Sequence, residues 1–305
     1  MTNKWIINSL TETQKKQQDE LAKSLSISPI LAKLLVERGI TTYDDARSFF
    51  RPDLSMLYDP FLMADMHRAV DRLTHAMQRN EKILIYGDYD VDGTTAVALV
   101  YKFLKEIYAN VDFYIPDRYT EGYGISIKGI DYAADNGFSL IIALDCGIKA
   151  VGKVAYAKSR SVDFIICDHH TADEMIPPAV AVLDPKRPDC HYPYSELSGC
   201  GVGFKFMQAF AMTNGIDFSH LEQLLDLVAL SIASDIVPIT GENRVLAYFG
   251  LKRINHSPSV GLKGIIDVCG LEDKEIGISD IVFKIGPRIS ATGRMGSAAE
   301  AVHLL

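Results

Sequence analysis

The chain is poor in cysteine and has no pair of cysteines at metal-site or redox spacing. Its five cysteines, at 146, 167, 190, 200 and 269, are odd in number and scattered. That excludes a disulfide scaffold and a structural zinc module, and leaves reduced, mostly buried thiols of a cytoplasmic protein. No apolar run reaches the roughly 20 residues that a membrane-crossing helix needs. The opening Met1-Thr2-Asn3-Lys4-Trp5-Ile6-Ile7 runs on into polar, Gln-rich sequence, without the apolar core of a signal peptide. Internal repeats and low-complexity tracts are also missing. Positive charge is scarce: 31 Lys and Arg face 39 Asp and Glu, a formal charge of −8. That is the wrong sign for most nucleic-acid binders. However, six of the acids (88, 90, 92, 145, 168, 235) fall in tight clusters, and two divalent ions bound there would return about four charges. Net charge therefore decides nothing about a nucleic-acid substrate. The 48% hydrophobic and 23% charged content is that of an ordinary globular protein able to bury a substantial core.

Residues 1–79 read as a helical N-terminal segment. Ser28-Pro29 opens a helix running to Arg38, with Gly39 suited to its stop, and Thr42-Tyr43-Asp44-Asp45-Ala46 starts a short one. Within residues 62–77, Met66, Ala69, Val70, Leu73 and Met77 recur on one helical face. From residue 80 short apolar runs alternate with helical stretches. Strands are expected at 83–86, 111–115, 140–144, 164–167 and 180–183, with a helix over 94–108. This spacing predicts an α/β fold: a mostly parallel sheet with helices on both faces. Residues 80–240 form this domain, and 241–305 read as a helical continuation. The segment from Ser297 to Leu305 reads as a helix cut in progress, so the chain is expected to be a fragment.

What the chain does have is acid and histidine where predicted elements run out. The clusters are Asp88-Tyr89-Asp90-Val91-Asp92-Gly93, Asp145 in Leu144-Asp145-Cys146-Gly147, Asp168-His169-His170, and Asp235 in Ser234-Asp235-Ile236. The first three follow predicted strands, and in parallel sheets ligands bind beyond the carboxyl ends of the strands. Crowded carboxylates raise one another's pKa, so a cation is expected among them. Hard oxygens with imidazole suit Mn²⁺ or Mg²⁺. A two-metal phosphoesterase holds two such ions about 4 Å apart, bridged by a carboxylate, to activate water and neutralise phosphoryl charge. Asp90 and Asp92 can hold one ion each if their loop curls, Asp145 is the candidate bridge, and His169 and Asp235 complete the shell of the second ion. Each cluster alone has a plainer reading. Asp88-x-Asp90-x-Asp92-Gly93 resembles a calcium loop, but Leu99 occupies the twelfth position, where that loop has Glu. Asp145 and Asp235 can be cap residues, and adjacent histidines are commonly solvated. Gly201 and Gly203 fit helix–sheet packing better than phosphate binding.

As a set, the clusters resemble the four motifs of the DHH phosphoesterase superfamily, and residues 86–93 resemble the first motif of its RecJ branch, single-stranded-DNA-specific 5′→3′ exonucleases. Similar to the same branch are Arg118-Tyr119-Thr120-Glu121-Gly122-Tyr123-Gly124, Asp184-Pro185-Lys186-Arg187-Pro188-Asp189-Cys190, Gly241-Glu242-Asn243-Arg244, and Gly286-Pro287-Arg288 through Gly293-Arg294-Met295. The resemblance implies an enzyme: a metal-dependent exonuclease of DNA repair and recombination that cuts single-stranded DNA to 5′-mononucleotides. It implies two divalent ions, Mn²⁺ preferred or Mg²⁺, on Asp90, Asp92, Asp145, His169 and Asp235. Asp88, Asp168 and His170 act beside the scissile phosphate, and Arg118 and Arg294 grip substrate phosphate. Its partners are single-stranded DNA, single-strand-binding protein and other repair proteins; the protein is a cytoplasmic monomer without membrane contact. The chain departs from the branch at Asp184, where Asn is usual, and at Ser290-Ala291-Thr292, where Asn-Ala-Ala is usual. It also lacks the second lobe (DHHA1) toward which 241–305 leads, and the OB-fold beyond. The rival implications are a DHH hydrolase of short oligonucleotides or cyclic dinucleotides, and a non-catalytic DHH scaffold for replication proteins.

Overall fold

The apolar runs after residue 80 are strands shielded on both faces, which is why they read as near-continuous hydrophobic sequence. In the computed structural model, which describes residues 8–295 and 297–305, they are β1 (Lys82–Gly87), β2 (Val111–Tyr114), β3 (Phe138–Leu144), β4 (Asp163–Cys167) and β5 (Ala181–Leu183). Together they form one sheet of order β2-β1-β3-β4-β5, with every pairing parallel. The opening heptapeptide and Gly296 lie outside the described residues.

Two compact units divide the chain, Met1–Met56 and Leu57–Leu305. The first holds α1 (Glu12–Leu25), α2 (Pro29–Val36) and α3 (Tyr43–Phe50). Thr11 with Gln14 and Thr42 with Asp45 form capping boxes, and Ser28 caps α2 with Pro29 in its first turn. Leu21, Ala32, Leu35, Val36, Ile40 and Ala46 are its core.

The second unit starts with a 3₁₀ turn (Pro60–Leu62) and α4 (Met66–Gln78), which begins four residues later than its apolar spacing suggests because Pro60–Leu62 turns separately. The sheet is interleaved with α5 (Val91–Ile107), α6 (Ile127–Asp135) and α7 (Val151–Ser159). There follow α8 (Gly199–Asn214), α9 (Ser219–Glu222), α10 (Leu225–Ser234), α11 (Gly241–His256), α12 (Val260–Val268), α13 (Ile278–Asp280), a π-turn (Ile281–Ile285), α14 (Gly286–Met295) and α15 (Ala299–Leu304). Side chains alternate across a strand. Leu84, Tyr86, Ile141, Ala143, Phe164 and Ile166 thus meet Ile130, Ala133, Val154 and Ala157 of α6 and α7, while α5, α8 and α4 cover the other face. Among the described residues no helix is long and apolar enough to cross a membrane.

Register decides where the chemistry falls. Gly87 pairs with Leu144, Leu144 with Cys167 and Cys167 with Leu183. The next residue of each strand is an aspartate, so Asp88, Asp145, Asp168 and Asp184 stand in a row along one rim. Two backbone bonds extend the ladder into that row, Asp145 N to Cys167 O at 2.8 Å and Asp168 N to Leu183 O at 2.9 Å. Chain order reverses about β1, whose neighbours are β2 and β3, and that reversal opens the crevice where ligands of such sheets bind.

Candidate metal centre

Asp90 and Asp92 lie at the start of α5. The helix begins at Val91, three residues earlier than the sequence pattern suggests, because Asp90 caps it: its carboxylate accepts from Gly93 N at 2.9 Å. Asp92 is held from across the site. Its carboxylate accepts from Gly199 N (2.7 Å) and Cys200 N (2.8 Å) in the first turn of α8, and from Ser231 Oγ (2.7 Å), which in turn accepts from the Ser198 hydroxyl at 2.6 Å. A helix N-terminus with its unpaired amides and positive dipole end is a fitting cradle for a carboxylate.

Asp145 follows β3 in the left-handed region, φ 57°, which is uncommon for a non-glycine residue and concentrated at functional sites. Gly199 packs against it so closely that a Cβ there would lie 2.5 Å from Asp145 Oδ1. His169 Nε2 lies 3.2 Å from Asp145 Oδ1, 3.6 Å from Asp235 Oδ2 and 3.7 Å from Asp92 Oδ2. Asp235 caps the C-terminus of α10, followed by Ile236 in the left-handed region at φ 59°. One imidazole nitrogen thus faces three carboxylates drawn from three elements. His170 joins Asp145 and His169 in a second group with ligand atoms in mutual reach.

Asp168 works differently. It accepts from Ile148 N (2.8 Å), His169 N (2.8 Å) and His170 Nδ1 (2.7 Å). Burial alone would raise its pKa, but the hydrogen bond and charge of His170 with the backbone amides lower it. Its hydrogen bond in turn raises His170. Asp88 accepts from Tyr89 N (2.7 Å) and Gly124 N (2.8 Å), fastening the 118–124 loop to the end of β1, and burial pushes it up to about 7. Arg118 lies over the Tyr89 ring, 4.9 Å from its centroid. Arg294 lines a cavity of about 300 Å³ with Asp90, Asp92, Asp235 and Ser290. Tyr119 OH reaches Arg294 O at 3.2 Å, bringing both arginine-bearing segments together.

The centre has more negative charge than its own cations balance. Burial, then the neighbouring Asp92, raises Asp90 and raises Asp235 to about 6; burial, then Asp92 and Asp90, lifts Asp145 far above the usual carboxylate range. Asp145 Oδ1 and His169 Nδ1 and Nε2 are buried without a hydrogen-bond partner among the described residues. A divalent cation would answer both, and oxygen donors with one imidazole suit Mn²⁺ or Mg²⁺.

The sequence pattern did not reveal Ser198, Ser231 and the amides of 199–200 that hold Asp92, nor Asp184 at the end of the row. Asp184 is buried and driven up to about 7 by that burial, with Oδ2 unpartnered among the described residues. Only the N-cap-like Ser198-Gly199 was a visible signal. Gly203 confirms a packing role: its Cβ would meet Leu144 and Val100 at 3.2 and 3.4 Å.

Sheet order, crevice and carboxylate–imidazole cluster together define an α/β protein with a metal-type centre at its topological switch point. Residues 82–232 match the model of the DHH family, N-terminal domain, and the chain belongs to the DHH family. It is similar to the single-stranded-DNA-specific exonuclease RecJ of Bacillus subtilis, 41% identical over 96% of this chain and 37% of that protein. It is 32% identical to the Escherichia coli RecJ, over 96% of this chain and 52% of that protein. The solved structure of Thermus thermophilus RecJ in complex with Mn²⁺ superposes with a TM-score of 0.79 at 28% identity, covering 95% of this chain and 41% of that one. The chain therefore spans between about a third and about half of the length of these relatives.

Proposed function

We propose that the chain carries the catalytic centre of a divalent-metal-dependent 5′→3′ exonuclease that degrades single-stranded DNA to 5′-mononucleotides. The observation that carries this is the convergence of Asp90 and Asp92, Asp145, His169 and Asp235 from four places in the chain, with buried atoms of Asp145 and His169 that find no hydrogen-bond partner among the described residues. These five residues would hold two ions, Mn²⁺ or Mg²⁺. Asp145, which stands among Asp92, His169 and Asp235 with Oδ1 buried and unpartnered among the described residues, would be shared between the two ions. Such ions supply a nucleophile at neutral pH and neutralise charge on the phosphoryl oxygens.

The remaining groups act on the substrate. Asp168 fixes the ring of His170 through Nδ1 and raises its pKa, which favours the protonated ring, from which His170 would donate to a phosphoryl or leaving oxygen. Asp88 keeps the 118–124 loop in place through Gly124 N, and Arg118 and Arg294 hold flanking phosphates. On this reading residues 1–79 are an accessory helical segment, 80–240 the catalytic domain and 241–305 a connector toward a second lobe. The protein works as a monomer in the cytoplasm, on DNA presented by single-strand-binding protein and other repair proteins.

End-labelled single-stranded DNA tests the reading. With Mn²⁺ or Mg²⁺, label at the 5′ end should leave first as a mononucleotide, and chelation should stop it. Release first from the 3′ end, or equal cutting of circular DNA, would replace the proposal with another nuclease or an oligonucleotide hydrolase.

A further inference from the structure

A second cavity, of about 570 Å³, adjoins the metal centre between residues 123–125 and the first turn of α7. It shares Asp168 and His170 with that centre, so a group bound at the metals has a substituent within reach of it. Its volume falls in the range of about 300–1,000 Å³ usual for small-molecule sites. The wall is apolar where it is deepest: Ile125, Cys146 and Ile148 are almost fully buried. Tyr123, 52% exposed at the mouth, offers an aromatic ring. It packs edge-on to Tyr89 at 5.8 Å, the ring that carries Arg118. A cationic grip and two aromatics therefore lead from the metal centre toward the cavity. That combination tracks a single strand: phosphate on the cation, bases on the rings.

The apolar wall and the two rings favour a flat occupant. Asp168 is paired with His170, and Lys149 and Lys153 also line the cavity, so the occupant is chosen by the apolar wall rather than by charge. Polar backbone groups around the wall are committed already. Ile125 O accepts from Lys153 Nζ at 2.5 Å, Ile148 N donates to Asp168, and Gly124 N donates to Asp88. Lys149 faces Asp173 at 3.7 Å. These groups are engaged elsewhere, while the apolar wall accepts any ring.

Resting on the nuclease reading above, we propose that this cavity receives the base of the nucleotide being released, by shape and apolar contact and without regard to its identity. Gly152, on the wall in α7, provides the probe. A Cβ there meets nothing within 4 Å, so Gly152→Phe grows into open space, and replacing a helical glycine does not endanger the fold. Gly264→Phe, equally unobstructed in α12, controls for an added aromatic elsewhere. Cutting rates would be measured with Mn²⁺ on the full chain. One substrate is normal single-stranded DNA with each of the four bases at the 5′ end; the other carries a tetrahydrofuran in place of that base.

The wild type should lose about tenfold in kcat/KM on the abasic end, the size of one base–aromatic contact, and by similar factors whichever base is removed. Gly152→Phe should cut normal DNA about tenfold more slowly, yet match the wild type on the abasic end; Gly264→Phe should behave as the wild type. Equal wild-type rates on both substrates, or a Gly152→Phe enzyme as fast as the wild type on normal DNA, would overturn the proposal. A loss confined to one base would overturn its indifference to identity. If the wild type cuts no DNA at all, the nuclease reading falls instead, and titration with deoxyadenosine decides the cavity. Binding abolished by Gly152→Phe upholds a base site, and unchanged or absent binding removes it.

Discussion

At Asp145 three constraints meet in one residue: a left-handed backbone, a glycine at its back and two further carboxylates at its front. Asp145→Ala should abolish ordered binding of both ions, whereas Asp235→Ala should mainly weaken one. Anomalous scattering from Mn²⁺ checks this, and two intact peaks in Asp145→Ala would reject the bridge. Gly199→Ala is a quieter probe. Its methyl must displace the Asp145 carboxylate, so Mn²⁺ affinity should fall about 10–100-fold, as for other groups that orient ligands, and calorimetric titration would read it. The raised carboxylates also set a pH dependence. Asp235 titrates at about 6 in the metal-free fold. An acid with a raised folded pKa costs the fold stability as pH climbs from the ordinary carboxylate range to that value, and an ion binds the ionised form. The Mn²⁺-induced rise in Tm should therefore grow between pH 5 and pH 8, and a shift constant over that window would contradict the assignment. These acids and histidines were legible in the sequence because they gather at the junctions between elements, beside apolar runs. Ser231, which holds Asp92 from 139 residues away, was not, since nothing local distinguishes it from other buried helix serines.

Elements, rather than single residues, explain why four aspartates stand in line. Four of the five strands stop one residue before an aspartate, and the parallel register carries that coincidence across the sheet. Strand positions could be read from apolar runs, but register could not, because it depends on how α5 to α7 pack against the faces. The start of α5 was misplaced for a local reason: Asp90 and Asp92 read as loop, yet carboxylates in a first turn favour a helix. Arg72 of α4 is the corresponding brace on the far rim, bonding Glu81 and Asp163 at 2.8 Å each, at the starts of β1 and β4. Arg72→Ala should cost about 2–3 kcal/mol, the scale of hydrogen bonds to charged groups. Burial alone would raise Glu81, but its bonds to Ser139 and Arg72 lower it on balance. The stability tied to that lowering is present above the ordinary glutamate range and lost as pH falls through the folded value. Urea titrations should therefore separate Arg72→Ala from the wild type clearly at pH 7 and less at pH 3. An equal gap at both would remove the ionic part of the brace.

Under the proposed function, a chain of charge −8 would hold a polyanion with few cations. Affinity for DNA scales with the phosphates neutralised. With Arg118, Arg294 and a few neighbours, binding by residues 1–305 should be weak and collapse at moderate salt, while the metal centre stays intact. Nuclease rates over a salt series, for this chain and for a version of its relatives' length, check this; equal rates and slopes would mark 1–305 as sufficient. Because all strands run the same way, the rim opposite the aspartates is made by the strand starts. Exposed turn residues Asn80, Gly137 and Ser161, each with positive φ, precede β1, β3 and β4 there. A seven-residue strand separates such a turn from the aspartates by roughly 20 Å. That makes the turn at Ser161 a natural anchoring point. A dye or surface tether attached there would leave the reactive rim facing solution, so single molecules could be watched as they shorten a strand.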